Sequence, residues 1–308
     1  MVKMKVYKNF NIPKNITGSI ILIGNFDGVH LGHQKLFKEA KKYKKKFKLK
    51  IGVLTFEPMP KMFFNKSLKN FRISSLNQKI NLMDNLKIDF LITKKFDKKF
   101  SSTNSVNFIK NIISKKLKAK FIFVSDNFKF GKNREGDVKQ LLNFEKELDY
   151  KLIKPKPLKI KNKIASSTSI RKFLGSGKLD LANKFLDRKW SIEGKVEKGR
   201  QLGRKIGFPT CNININDYII PKLGVYAVRV FIKNRVFKGI ANVGYRPTFN
   251  QKKLLLEVHL FNFSGNLYNK YLRVDFLKFI RKEKKFTNID KLKKQIKIDL
   301  RIAKKDYV

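Results

Sequence analysis

Two of the three histidines in this 308-residue chain, His30 and His33, stand in the stretch Gly24-Asn25-Phe26-Asp27-Gly28-Val29-His30-Leu31-Gly32-His33, directly after an apolar run at 20–23. Imidazoles donate hydrogen bonds to phosphate oxygens without needing a permanent charge, and two of them across a tight turn can bracket a polyphosphate. Gly28 and Gly32 let the backbone approach a ligand closely. A helix starting near Gly32 aims free N–H groups and its positive dipole end at that ligand. Nucleotide chemistry is the first reading; a pair of core or metal-binding histidines is the plainer one.

A second constellation lies later, in Gly199-Arg-Gln-Leu-Gly203-Arg204-Lys-Ile-Gly207-Phe-Pro209-Thr210-Cys-Asn212. It reads either as a phosphate loop ending in oxygen ligands or as a glycine-rich hairpin. The Thr210 hydroxyl and the Asn212 amide carbonyl would suit hard Mg²⁺ rather than a soft metal. Glu257 and His259 stand in Leu256-Glu257-Val258-His259-Leu260, where alternation puts both on one face of a strand. Glu257 is then either a general base for a substrate hydroxyl beside a γ-phosphate or an edge-strand carboxylate in solvent.

The first 186 residues alternate strand-like runs, at 20–23, 51–56, 90–93, 121–124 and 152–153, with stretches of helical period. That pattern predicts an α/β domain with a parallel sheet and helices on its faces. After 187 come short strands broken by glycine, at 190–196, 224–232, 237–243, 254–263 and 272–279, and then a helical stripe through Ile289, Leu292, Ile296, Leu300 and Ala303. These predict a small antiparallel β-barrel with a C-terminal helix. The expected domains are therefore 1–186 and 187–308.

In open α/β sheets ligands collect at loops after the strands. The candidates are 55–63 with its two prolines, 125–131 with Asn127, and Ala165-Ser166-Ser167-Thr168-Ser169-Ile170-Arg171. The last offers hydroxyls and a guanidinium to an anion at a helix start, although the same residues also read as an N-cap.

The formal net charge of +49 invites a nucleic-acid partner. Residues 1–186 carry 43 Lys+Arg against 13 Asp+Glu, and 187–308 carry 29 against 10, so the excess is spread evenly rather than gathered in one patch. The cations are 60 Lys and only 12 Arg, whereas base-edge readout favours the Arg fork. No specific nucleic-acid partner is expected. One cysteine, Cys211, rules out an intrachain disulfide, and no apolar run approaches a membrane span, so a soluble cytoplasmic protein without a membrane partner is expected. The oligomeric state is left open.

His30-Leu-Gly-His33 resembles the signature of the nucleotidylyltransferase superfamily, and the longer Gly24-to-His33 form is similar to that of bacterial FAD synthetases. The 55–63, 125–131 and 165–171 segments follow that family in order and spacing. The segments 199–212, 239–248 and Glu257-Val-His-Leu, with Phe276, Arg281, Glu283 and Phe286, resemble bacterial riboflavin kinase. Together they resemble the bifunctional riboflavin kinase/FAD synthetase family over nearly the whole chain.

The resemblance implies a Rossmann-like adenylyltransferase domain that makes FAD from FMN and ATP, and a barrel that makes FMN from riboflavin and ATP with Mg²⁺. His30, His33, Ser166, Ser167, Thr168 and Arg171 would contact ATP phosphates, with Asn127 near the nucleotide. Thr210 and Asn212 would hold Mg²⁺-nucleotide, and Glu257 would deprotonate the ribityl hydroxyl; His259 is expected to be structural. Met59 stands where relatives commonly have histidine, and Ser125, Ala165, Lys198 and Asn269 are further departures. A chain retaining only the kinase step, or a nucleic-acid-binding protein on a transferase scaffold, are the rival readings.

Overall fold

Four consecutive apolar residues, Ile20–Ile23, can all be buried only if both faces of their strand are covered, and all four are. They form β2 of a six-stranded parallel sheet with β1 (Lys5–Tyr7), β3 (Ile51–Glu57), β4 (Phe90–Lys95), β5 (Phe121–Phe123) and β6 (Lys151–Ile153). The order across the sheet is β1-β4-β3-β2-β5-β6. One face packs Ile21, Ile23, Leu54 and Ile92 into a core with Phe108 and Ile109; the other packs Ile20, Leu22, Val53 and Leu91 with Phe37 and Ala40 of helix α1 (Leu31–Phe47).

The strand order creates one special position. From β2 the chain builds outward through β3 and β4, then returns to place β5 on the other side of β2. The loops leaving β2 and β5 therefore diverge, opening the crevice at the carboxyl ends where such sheets bind ligands. The 24–30 loop leaves β2 at that point, and the 124–131 segment leaves β5 beside it.

This computed structural model describes residues 3–199, 201–215, 217–247 and 252–305. The chain divides into two compact units, 1–68 with 76–165, and 69–75 with 166–308. The sequence pattern changes at 186/187, whereas the units part at 165/166. The reason lies in helices α4 (Ser167–Gly175) and α5 (Leu179–Leu186). Asn183 of α5 accepts from the Trp190 amide at 2.7 Å and donates to the Phe276 carbonyl at 3.5 Å, which ties α5 to the barrel.

Segment 69–75 joins the same unit. Arg72 exchanges backbone hydrogen bonds with Asp217 and Ile219, at 3.0 and 2.7 Å. The Asn70 amide donates to the carbonyls of Ile215 and Tyr218, and the buried Trp190 indole donates to Ile73 at 2.9 Å.

The barrel is closed, in the order β7-β8-β11-β10-β9-β12, with β7 Ser191–Glu197, β8 Cys211–Asn214, β9 Gly224–Ile232, β10 Arg235–Pro247, β11 Lys252–Leu260 and β12 Tyr271–Arg281. All six pairings are antiparallel. Ile213, Leu256, Val258, Val243 and Val228 fill the interior, each fully buried. On the outside, Val225, Ala227 and Ile240 are covered by Ala303, Ile296 and Leu300 of helix α6 (Ile289–Lys305). Arg281 pins α6 through paired contacts of 2.7–2.9 Å with the buried Asp299 carboxylate.

Because Leu22 packs with no exposure between sheet and α1, Leu22→Ala should lower the stability of the first unit by about 2–5 kcal/mol, read as a urea midpoint shift.

Candidate functional site

In the first unit the 24–30 turn is built from strained backbone. Phe26, Gly28 and Val29 have φ of +47°, +79° and +40°, and a β-branched residue seldom tolerates that region. Such strain persists only where surrounding contacts over-determine it, and it clusters at ligand clamps. The contacts here are visible. The Val29 amide donates to the Phe26 carbonyl at 3.1 Å, Phe26 packs on Phe37, and the Thr55 hydroxyl donates to the Asn25 carbonyl at 3.2 Å.

Behind Thr55 lies Lys79, on helix α3 (Leu76–Asn85; the short Pro60–Phe64 is α2), buried to 1 % with its ammonium 3.5 Å from that hydroxyl. Lys79 carries no signal in the sequence, because it is one lysine in a chain that has sixty.

His30 is the N-cap of α1: its Nδ1 accepts from the His33 amide at 3.4 Å. A neutral imidazole accepting at Nδ1 carries its proton on Nε2, so the cap leaves His30 a donor on its other nitrogen. The rings of His30 and His33 stack with centroids 3.6 Å apart, and Phe26 meets His33 edge-on at 5.1 Å. Gly32 is obligatory, since a Cβ there would lie 2.5 Å from the Ala165 carbonyl. Asp27 and Gly28 are buried in the turn, and Asn25 is exposed.

After β5, the Ser125 hydroxyl donates to the Asn127 side chain at 3.0 Å, so the departure at 125 supplies a support for Asn127. Met59 is buried at the start of α2 (2 % exposed). The following Phe63 and Phe64 form an edge-to-face trio with Phe96 after β4, and Phe64 is 68 % exposed. That exposed aromatic surface at the carboxyl ends of β3 and β4 was read from sequence only as a stiff turn.

In the second unit Ser166 is the N-cap of α4, accepting from the Ser169 amide at 3.2 Å, with Ser167 and Thr168 in the first turn. Arg171 donates from Nε to the Phe71 carbonyl at 2.9 Å and lies 3.7 Å over the Phe71 ring.

The barrel brings together the residues of the other constellation by register. Asn212 stands directly opposite Glu257, and Glu257 directly opposite Asn242, so the three share one face across β8, β11 and β10. That face is the outer one, because Leu256 and Val258 on either side of Glu257 fill the interior. Asn212 is 5 % exposed, and its Oδ1 has no hydrogen-bond partner among the described residues. Asn242 donates to Glu283 at 3.4 Å.

Glycines let this face close up. A Cβ on Gly199 would lie 1.8 Å from the Asn212 amide, and one on Gly203 would lie 2.4 Å from the Phe208 carbonyl and 3.3 Å from the Thr210 hydroxyl. Gly207 turns at φ +89°. Gln201, Arg204, Pro209, Thr210 and Cys211 wall a cavity of about 570 Å³, closed on its other side by Leu260 and residues 263–268. The 263–268 turn was not singled out from sequence, although Ser264-Gly265-Asn266 signals a turn. Thr248, the last residue of the 239–248 motif, lies outside the described residues. No group of three His, Cys, Asp or Glu among the described residues is placed to hold a metal ion.

Comparison with known proteins gives a consistent picture. The FAD synthetase family matches residues 12–169 and the riboflavin kinase family residues 186–307. The chain is 43 % identical over 301 residues to the bifunctional riboflavin kinase/FMN adenylyltransferase of Buchnera aphidicola subsp. Schizaphis graminum, covering 96 % of each. It is 38 % identical over 295 residues to the protein of that description from Haemophilus influenzae, again covering 96 % of each. A crystal structure described as a macrolide-efflux protein from Streptococcus pneumoniae superposes with a TM-score of 0.86 at 29 % identity, over 98 % of this chain and 99 % of that one. Among the described residues of this chain, no helix is long and apolar enough to cross a membrane.

Cys211 offers a local check on the second site. Burial pushes its thiol up to about 12, so at pH 8 almost no thiolate forms. The native protein should therefore react far more slowly with a disulfide reagent than the same protein in denaturant; equal rates would place Cys211 in solvent.

Proposed function

The chain belongs to the bifunctional riboflavin kinase/FMN adenylyltransferase family, and from that premise we propose which residues carry each step. The enzyme phosphorylates riboflavin with ATP to give FMN, then transfers AMP from a second ATP to the FMN phosphate, giving FAD and pyrophosphate. The assignment of residues rests above all on the turn at the switch point of the parallel sheet, whose strained backbone caps α1 with His30.

In the adenylylation step an FMN phosphate oxygen attacks the α-phosphorus of ATP while the bond to the β-phosphate oxygen breaks. The nucleophile is already anionic, so alignment and charge stabilisation carry the rate, and base catalysis has little to do. His30 and His33 donate to the departing phosphates, and the positive dipole end of α1 faces them. Lys79, through Thr55 and Asn25, holds the turn in place.

Gly24, Phe26, Asp27, Gly28 and Gly32 shape the nucleotide contact, and Asn127 meets the nucleotide. Ser166, Ser167, Thr168 and Arg171 receive their phosphate role from the family likeness. The exposed Phe64, with the half-buried Phe63 and Phe96 beside it, suits the flat isoalloxazine ring of FMN, since aromatic faces stack on such rings at little entropic cost.

For the kinase step, the 570 Å³ cavity takes ATP between the 201–210 loop, with Arg204 and Pro209, and the 263–268 turn. Glu257 accepts the proton of the ribityl hydroxyl as that oxygen attacks the γ-phosphorus, while the bond from that phosphorus to the β-phosphate oxygen breaks and ADP leaves. The buried Asn212 Oδ1, which has no partner among the described residues, and the Thr210 hydroxyl form a hard oxygen set that fits Mg²⁺. Bound there with ATP, the ion would neutralise phosphate charge; the scarcity of acidic ligands is in keeping with an ion held largely by substrate. The evenly spread lysines are read as compositional, with no nucleic-acid role, and the enzyme as cytoplasmic, where ATP is supplied.

Replacing His30 and His33 together by Ala should cut FAD formation from FMN and ATP by at least about a hundredfold while riboflavin phosphorylation persists. Glu257→Ala should give the opposite pattern, losing FMN formation by a comparable factor. Each is read by chromatography of flavins. Unchanged FAD formation in the first, or unchanged FMN formation in the second, refutes the corresponding assignment.

A further inference from the structure

The third histidine was expected to be structural, yet its placement touches the reaction. His259 Nδ1 lies 2.8 Å from the Pro209 carbonyl. A carbonyl oxygen only accepts, so the imidazole must donate, which fixes its proton on Nδ1. The hydrogen bond stands where the strand ladder ends. Backbone pairing of β8 with β11 runs from Asn214 opposite Leu255 to Cys211 opposite Val258 and stops there.

One step further would bring Thr210 opposite His259, and two steps would bring Pro209 opposite Leu260. Proline has no N–H to give to a ladder. The side chain of His259 takes over at that point, holding by its imidazole the segment the backbone can no longer hold.

The segment so held is the one that matters to ATP. Pro209 precedes Thr210, and Asn212, with its buried Oδ1, follows two residues on. On the opposite side Gly203 closes to contact with the Phe208 carbonyl and the Thr210 hydroxyl, and the Phe208 amide donates to the Gly203 carbonyl at 2.8 Å. The imidazole is itself kept in place by aromatic neighbours, Phe208 edge-on at 5.9 Å and Phe261 at 6.1 Å. His259 also sits two residues from Glu257 on the same strand face. One side chain thus joins the nucleotide loop to the strand that carries the base.

We propose that His259 is a positioning residue of the kinase step: its N–H on the Pro209 carbonyl sets where Thr210 and Asn212 meet MgATP relative to Glu257. The inference rests on the kinase-site reading above.

The test uses the full chain with His259→Phe, which keeps a flat ring without a donor, and His259→Asn, whose amide N–H can reach the same carbonyl. Riboflavin phosphorylation is followed across a range of ATP concentrations, FMN adenylylation is measured in the same preparations, and amide hydrogen exchange over 201–212 is recorded without ligand. His259→Phe should raise the KM for ATP in the kinase step about tenfold, as expected for one lost hydrogen bond, with a smaller change in kcat and faster exchange over 201–212. Adenylylation should be unchanged, and His259→Asn should restore most of the KM.

A His259→Phe enzyme with normal KM and kcat overturns the proposal, as does an equal loss in both variants. If His259→Phe fails to fold, normal KM together with normal exchange in His259→Asn supports the proposal, and a raised KM there overturns it. Asn212→Ala separates the two readings. Normal kinase activity in that variant would refute the kinase site itself, whereas its loss beside a normal His259→Phe refutes only the role of His259.

Discussion

The first unit depends on one constraint: between the last residue of β2 and the first of α1 the chain has seven residues in which to reverse direction and cap the start of the helix. Three of them take left-handed backbone, one being the β-branched Val29, at a cost on the order of 1–3 kcal/mol for each non-glycine residue. The fold tolerates this because apolar strands on both sides of β2 and the packing of Phe26 and Phe37 leave the turn no alternative. The same turn then needs His30 as its cap, so the residue for which a phosphate contact is proposed is also the group that holds the helix start.

The second unit meets the same ligand class by a different route. Cross-strand register on a closed barrel brings Asn212, Glu257 and Asn242 into a row, and a glycine-rich loop folds over their edge. Closure removes the free strand edges and makes that register rigid, since a slip of one residue would turn Glu257 inward and Leu256 outward. Helix α6 completes the outer surface, with Arg281 and Asp299 locking it down.

Much of this was legible in the sequence. The buried strands at 20–23, 51–57, 90–95 and 121–123 announced themselves as apolar runs, and glycine with paired histidines marked the turn. What escaped shares a physical cause. Lys5–Tyr7 is a three-residue edge strand with mostly exposed side chains, and Cys211–Asn214 alternates polar residues directly after a loop, so neither carries a hydrophobic signal. The pairing of Asn212 with Glu257 is a matter of non-local register, which no single stretch of sequence encodes. Segment 69–75, which pairs by backbone with residues 217–219, was invisible for the same reason. Lys79 and the exposed Phe64 were hidden by composition, one lysine among sixty and one phenylalanine among 28.

The central claim is that one chain carries two working sites acting in sequence on a flavin. The most direct measurement is a chromatographic time course of riboflavin with ATP, Mg²⁺ and the purified protein. FMN should rise first and then decline as FAD accumulates. FMN accumulating without FAD would contradict the account of the first unit, and no flavin product from folded protein would contradict the account as a whole.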